Sequence, residues 1–259
     1  MIAGVSTACF YPQHTEDALR ELVSIGVRSA EIFLNCAGEL EEPFLKELAA
    51  IAKDGGAKIL SLHPYTSGME PLFFFTQYDR RFAEGMELYK RYYRAANLLG
   101  AEIVVFHGAL HNYGIENAAY FEKFDILRRD AAAFGVKLCQ ENVARCVSRS
   151  SAFLREMARE LPETRFVLDS KQVVRSGEKI EAYTEALRDK IVHIHISDHN
   201  EASDCLLPGQ GVFNIAKFLA DMRNFGFDGG VIVELYRDNF NDIVEILQGY
   251  QQVLDSFPQ

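Results

Sequence analysis

Leu-Gly-Ala-Glu-Ile-Val-Val-Phe-His (residues 99–107) and Phe-Gly-Val-Lys-Leu-Cys-Gln-Glu (residues 134–141) share one plan. In each, a glycine follows an amphipathic stretch, and a short apolar run then ends on an ionisable side chain. Glycine accepts the left-handed backbone of a helix C-cap, and a short apolar run between polar residues reads as a buried strand. Both stretches therefore read as helix-to-strand joints of successive βα units.

Working outward, eight such runs follow one another: Ile2 to Ser6, Ser29 to Leu34, Ala57 to Leu62, Glu102 to Phe106, Lys137 to Gln140, Arg165 to Leu168, Ile191 to Ile196 and Gly230 to Val233. Between them, helical spacing covers Thr15 to Ser24, Glu42 to Lys53, Gln77 to Leu99, Glu116 to Phe134, Ser151 to Leu161, Lys179 to Leu187, Ile215 to Phe225 and Asn241 to Phe257. Gly26 and Gly226 repeat the cap positions of Gly100 and Gly135. Alternating strands and amphipathic helices make a parallel sheet covered by helices, and eight strands are the closing number of a barrel. The predicted fold is α/β, a single (β/α)8 TIM barrel over residues 1–259, with no low-complexity segment or Pro/Ser linker to divide it. Pro64 to Thr76, with Met69, Leu72 and Phe73-Phe74-Phe75, reads as a long irregular loop. Its apolar side chains need a place to bury: a lid, a pocket wall, the barrel itself or a subunit contact.

Composition narrows the partners. The formal charge is 27 − 37 = −10, and no Lys/Arg stripe stands ready to track a phosphate backbone, so no nucleic-acid partner is expected. No apolar run approaches membrane-span length, and the first residues read as a strand, so no membrane association and a cytoplasmic location are expected. Cys9, Cys36, Cys139, Cys146 and Cys205 are scattered, without a CxxC pair, and read as reduced, buried and inert. A homo-oligomer stays open.

Six ionisable side chains, His63, His107, Glu141, Asp169, His195 and Glu234, stand at or just past the ends of the runs. In barrels of this kind the strand C-termini carry the chemistry. Three carboxylates converging there would repel one another and hold raised pKa values unless a cation shared them. Glu141, Asp169, His195 and Glu234 supply three oxygen ligands and one imidazole, which suits one divalent ion, Mn, Zn, Co or Mg. A lone Asp after a strand is more often a helix N-cap; four ligand types at strand ends are harder to dismiss. His193 shares the facing of His195 but lies one layer lower, where a hydrogen bond to its neighbours is expected. His63 and His107 are candidate substrate contacts, with a second ion as the alternative. Lys171, on the same facing if the strand continues, and Gln172 and Arg175 in the following loop are candidates for the polar side of the pocket. Asp198 and His199 read as a solvated turn or as pocket lining.

His-Ile-His-Ile-Ser-Asp-His (193–199), Leu-Pro-Gly-Gln-Gly (207–211), Leu-Asp-Ser-Lys-Gln (168–172) and Val-Glu-Leu-Tyr (233–236) together resemble the xylose isomerase-like barrel superfamily. That group holds sugar and sugar phosphate isomerases and epimerases and, in AP endonuclease family 2, endonuclease IV. The resemblance covers essentially the whole chain. It implies a metal-dependent isomerase or epimerase acting on a small-molecule sugar or sugar phosphate, with one ion on Glu141, Asp169, His195 and Glu234. Glu141 and Glu234 would flank the substrate as acid and base, removing a proton beside a carbonyl and returning it, with the ion stabilising the enediolate between. Beside what the resemblance implies, the reading of the residues themselves makes His63, His107, Lys171 and Gln172 the expected substrate contacts. Two residues depart from the ketose 3-epimerases: Gln172 stands where they have a histidine and Glu201 where they have an arginine, both of which hold substrate there. The alternative is an endonuclease IV-like phosphodiesterase, since His63 and His107 match two of its additional zinc ligands, but Gln172 and Ser203-Asp204-Cys205 break its pattern. A barrel that binds a metabolite without turning it over is the third reading.

Overall fold

A computed structural model of the chain, describing residues 1–258, closes eight parallel strands into a barrel in sequence order. The strands are β1 (Ile2–Ser6), β2 (Ser29–Phe33), β3 (Lys58–His63), β4 (Ile103–Phe106), β5 (Lys137–Glu141), β6 (Arg165–Asp169), β7 (Ile191–Ile196) and β8 (Gly230–Val233). Each coincides with a predicted run to within one residue at either end. Pairing of Ile2 with Gly230 and of Val5 with Val233 closes the ring. Register decides what meets at the mouth. Asp169 pairs with His195 and Phe33 with His63, so side chains far apart in sequence share one level.

Outside the sheet run α1 (Thr15–Ser24), α2 (Glu42–Asp54), α3 (Glu70–Phe74), α4 (Asp79–Leu99), α5 (Asn117–Ala133), α6 (Ser151–Glu160), α7 (Ser170–Ser176), α8 (Ile180–Leu187), α9 (Ile215–Asn224) and α10 (Ile243–Asp255). Their apolar faces, including Leu22, Leu48, Tyr93, Phe124, Met157, Met222 and Val253, are buried against the strands in one core. Each such side chain contributes about 1.5–3 kcal/mol relative to exposure. Gly26, Gly100, Gly135 and Gly226 all hold positive φ, as the sequence predicted.

Inside the barrel a second apolar cluster, Ile103, Val105, Cys139 and Val167, fills the side formed by β4, β5 and β6. The facing side is polar: Ser6, Glu31, Ser61 and His193 are all fully buried there. Gly230 makes room for it, because a Cβ at that position would lie 2.8 Å from Nδ1 of His193. Burial therefore divides the interior into an apolar half and a hydrogen-bonded half.

Three sequence expectations need correction. Pro64 to Thr76 is not irregular: a 3-10 turn (Tyr65–Met69) leads into α3, with Pro71 in its first turn. Phe74 packs on Tyr89 and Phe106, with ring centroids 5.0 and 5.9 Å away, and Phe75 stacks on Tyr120 at 4.5 Å. The segment is buried by tertiary contacts, which periodicity does not record. The stretch after Asp169 is likewise helix α7, capped when the Asp169 carboxylate accepts the Gln172 N–H at 3.1 Å and ended by Gly177. Seven residues are too few to display a 3.6-residue period. Finally, Cys36 is exposed, whereas the other cysteines are buried. No helix among the described residues is long and apolar enough to cross a membrane.

Candidate active site

Glu141 and Asp169 close β5 and β6, His195 sits near the end of β7, and Glu234 follows β8 directly. Each offers one ligand atom, and these atoms all lie within 4.8 Å of one another. Nδ1 of His195 is 3.1 Å from Oε1 of Glu141 and 3.5 Å from Oε2 of Glu234. Glu141 Oε2 and Asp169 Oδ2 are buried without a hydrogen bond. Each has a nitrogen at ion-pair distance, His107 Nε2 at 2.8 Å and Lys171 Nζ at 3.0 Å, but at angles that make no hydrogen bond. Buried carboxylate oxygens are rarely left so, and three carboxylates plus one imidazole around one point form a donor set that fits a divalent cation.

The opposite nitrogen of His195 fixes which way the ring presents itself. Nε2 lies 3.0 Å from Oε2 of Glu31. That carboxylate also accepts from Ser61 Oγ at 2.7 Å and Ser6 Oγ at 3.2 Å, and His193 Nε2 stands 3.0 Å from Ser61 Oγ. His193 thus takes the lower-layer place expected of it, beneath the proposed ligand.

The charges do not follow the simple repulsion expected from sequence. Burial works against ionisation throughout, yet His195 and His107 hold Glu141 well below the ordinary carboxylate range, and Lys171 with His195 holds Glu234 below it. Only Asp169 rises, to about 6, because burial and the neighbouring Glu141 and Glu234 outweigh Lys171. His195 is buried too, but Glu31 and Glu234 raise it well above an ordinary histidine. The difference from expectation lies in the imidazoles and in Lys171, which already share the negative charge.

His63 and His107 meet above this cluster, their Nε2 atoms 3.1 Å apart. With Glu141 they form a second group able to hold an ion. Lys171 lies on α7 rather than on an extended β6, and its Nζ is 2.8 Å from Oε2 of Glu234 as well as 3.0 Å from Asp169. It is buried, and its charge is committed to the site's own carboxylates. Gln172 lines the pocket with its Oε1 accepting the Ala144 N–H at 3.0 Å, while Arg175 is paired with Asp204.

Glu141, Glu234, His63, His107 and Lys171 line a cavity of about 480 Å³ whose walls include Phe33, Arg145, Leu235 and Tyr236. A larger cavity, about 780 Å³, opens at the N-terminal end of the barrel below His193. The converging carboxylates and imidazoles belong to the smaller one, and chemistry, not volume, marks the site. Ser67, from the segment after β3, reaches this wall, so part of that segment does border the pocket.

Several residues escaped the sequence reading. Glu31 left a trace, a charge in the middle of the apolar run Ser-Ala-Glu-Ile-Phe. Glu70 is buried on α3, where its carboxylate accepts from Tyr89 Oη and from the backbone N–H of His107 at 2.8 Å, and burial pushes its pKa up to about 7. Asn142 ties the ends of β5 and β6 by accepting the Asp169 N–H at 2.6 Å and donating to its carbonyl at 3.0 Å. Asp198 is neither solvated nor pocket-lining: it is buried, and it accepts the N–H groups of His199, Gly209, Gly211 and Phe213. The 207–211 motif is therefore a loop curled around one carboxylate.

A closed parallel barrel with a carboxylate-imidazole cluster at its C-terminal mouth defines a class, the barrels with a candidate divalent-metal centre. Within that class, the chain belongs to the xylose isomerase-like TIM barrel family, whose model matches residues 19–258. No curated protein matches it. Among solved structures it is similar to a D-tagatose 3-epimerase-like protein (19% identity, TM-score 0.80, 98% of each chain covered). It is also similar to apo 3-keto-D-glucoside 4-epimerase from E. coli (17% identity, TM-score 0.75, 99% of this chain and 98% of that one). A third is IOLI protein, crystallised with a zinc atom (21% identity, TM-score 0.78, 99% and 96% covered). At these identities the likeness is one of fold.

Proposed function

We propose that the protein is a divalent-metal-dependent isomerase or epimerase of a sugar or sugar phosphate. The observation that carries the reading is the convergence of Glu141 and Glu234 on His195 Nδ1, at 3.1 and 3.5 Å, with both carboxylates lining one cavity of about 480 Å³. The epimerases among the similar folds, and the zinc of one of them, support it.

Glu141, Asp169, His195 and Glu234 would hold the ion, which when bound supplies positive charge to stabilise the substrate's oxyanion. One of the two glutamates takes the proton from the carbon beside the substrate carbonyl, and the other delivers a proton to the opposite face or the adjacent carbon. Both are held ionised, and each has a proton-bearing neighbour, His107 at Glu141 and Lys171 at Glu234. His63 and His107 contact substrate hydroxyls above the carboxylates, and Phe33 and Leu235 supply apolar walls that keep water from the exchanging proton. Gln172 positions the β5 loop through Ala144 and offers its amide N–H groups to the pocket.

Incubating the metal-loaded protein with a ketose, aldose and inositol panel in deuterated water tests this directly. Deuterium should enter one substrate class at a carbon next to the carbonyl. A protein that binds members of the panel yet incorporates none is a binding barrel, and the proposal falls.

A further inference from the structure

The pocket contains three cationic side chains, and two are already spoken for. Lys171 is held between Asp169 and Glu234, and Arg175 makes a two-point pair with Asp204, at 2.6 and 3.0 Å, and donates to Tyr236 Oη at 2.7 Å. Arg145 differs. Among the described residues no carboxylate lies within 4.0 Å of its guanidinium, and Nη2 donates to Nδ1 of His107 at 3.3 Å. Arg145 lines the cavity and is itself exposed, so its other N–H donors meet solvent rather than a carboxylate of the protein.

The position of this cation is built rather than incidental. The Arg145 carbonyl accepts the backbone N–H of His111 at 3.0 Å, with His111 Nδ1 also 3.0 Å away. The adjacent Cys146 bridges to Leu110, which ties the β5 loop to the β4 loop. From that anchor the side chain crosses over His107 toward the segment after β3, where a Cβ on Gly68 would lie 4.0 Å from Nη2. His107 therefore stands between Arg145 and Glu141, and the carboxylate does not neutralise the guanidinium. Next to it, Gln172 turns its Oε1 to the Ala144 N–H, so its amide nitrogen remains a donor on the same rim.

A guanidinium with free donors beside a neutral amide donor matches an oxyanion that presents two oxygens at once. The cluster beneath is rich in carboxylates and would repel an anion, so a charged substrate has to place that group at the rim, away from Glu141 and Glu234. We propose that Arg145, assisted by Gln172, binds an anionic group of the substrate, so that the sugar carries a phosphate ester or a carboxylate. This deepens the proposed function and rests on it only in taking the substrate to be a sugar.

The test is calorimetric titration of the full chain with inorganic phosphate and, separately, with acetate, in wild type, Arg145→Gln and Arg145→Lys. One of the two anions should bind the wild type, and which one does distinguishes a phosphate ester from a carboxylate. Arg145→Gln should weaken that binding at least tenfold, while Arg145→Lys, which keeps the charge and loses the fork, should fall between. In parallel, D-fructose 6-phosphate should outcompete D-fructose for the wild-type pocket if phosphate is the group, and D-glucuronate should outcompete D-glucose if carboxylate is. Either preference should shrink toward unity in Arg145→Gln. Equal anion affinity in wild type and Arg145→Gln, or no binding of either anion, overturns the inference. Arg145-dependent anion binding without deuterium exchange in any sugar removes the acid/base reading and leaves this one standing.

Discussion

Oε2 of Glu31 lies 3.0 Å from Nε2 of His195, inside the barrel where both side chains are fully buried. A carboxylate there holds a proton on Nε2, so that Nδ1, the nitrogen facing Glu141 and Glu234, is the one that gives up its proton and offers its lone pair when a cation binds. Partners of this kind set ring orientation and basicity, and their loss costs about 10–100-fold in metal affinity. Glu31→Gln, which keeps the volume and removes the charge, should weaken zinc or manganese binding by that factor in a competition titration with a chelating dye. Unchanged affinity would show that packing alone orients the His195 ring.

Glu141→Gln and Glu234→Gln should each lower solvent deuterium incorporation by roughly 100-fold or more, the usual scale for loss of a general acid or base. The two should differ in metal content, because Glu141 is the more deeply buried and is approached by both His107 and His195. Metal analysis of each variant, purified without chelator, separates lost ligation from lost proton transfer. Exchange retained in both would remove the pair from catalysis.

Lys171 gives a prediction on stability. Its ammonium compensates Asp169 and Glu234, all three being buried or nearly so. Lys171→Met leaves two carboxylates facing each other without it, and the metal-free protein should lose of the order of 3 kcal/mol. A bound divalent ion replaces part of the missing charge, so metal should raise the melting temperature of the variant more than that of wild type. Equal metal-induced shifts would mean that ammonium and ion do not share the same carboxylates.

These residues also show how far the sequence could be read. Strand ends are legible because an apolar run stops on a charge, so Glu141, Asp169, His195 and Glu234 could be found, and the register of β6 against β7 brings two of them side by side. Glu31 was harder, since its meaning depends on Ser6, Ser61, His193 and His195 arriving from three other strands. Lys171 shares the facing of Asp169 in sequence only if the strand continues, but Asp169 caps α7, and the turn this forces swings the lysine back over the cluster. Arg145 carries no sequence signal at all, because an arginine in a loop looks the same whether or not a carboxylate meets it.

Glu70 makes the clearest case for pH dependence. Burial pushes its carboxyl from the ordinary 4.5 up to about 7, despite the hydrogen bonds it accepts from Tyr89, His107 and Gly108. Between those values the folded protein keeps a proton that the unfolded chain releases. Its contribution to stability is therefore fully present below pH 4.5 and is lost as pH rises through about 7. The full change is of the order of 3 kcal/mol. Glu70→Gln cannot titrate, so urea denaturation at pH 5 and pH 8 should show the variant gaining stability relative to wild type as pH rises. A wild-type-minus-variant difference that stays flat across the window would mean that the backbone N–H groups of His107 and Gly108 hold Glu70 ionised even at low pH, and that the β4 end is clamped by a charge rather than by a neutral acid.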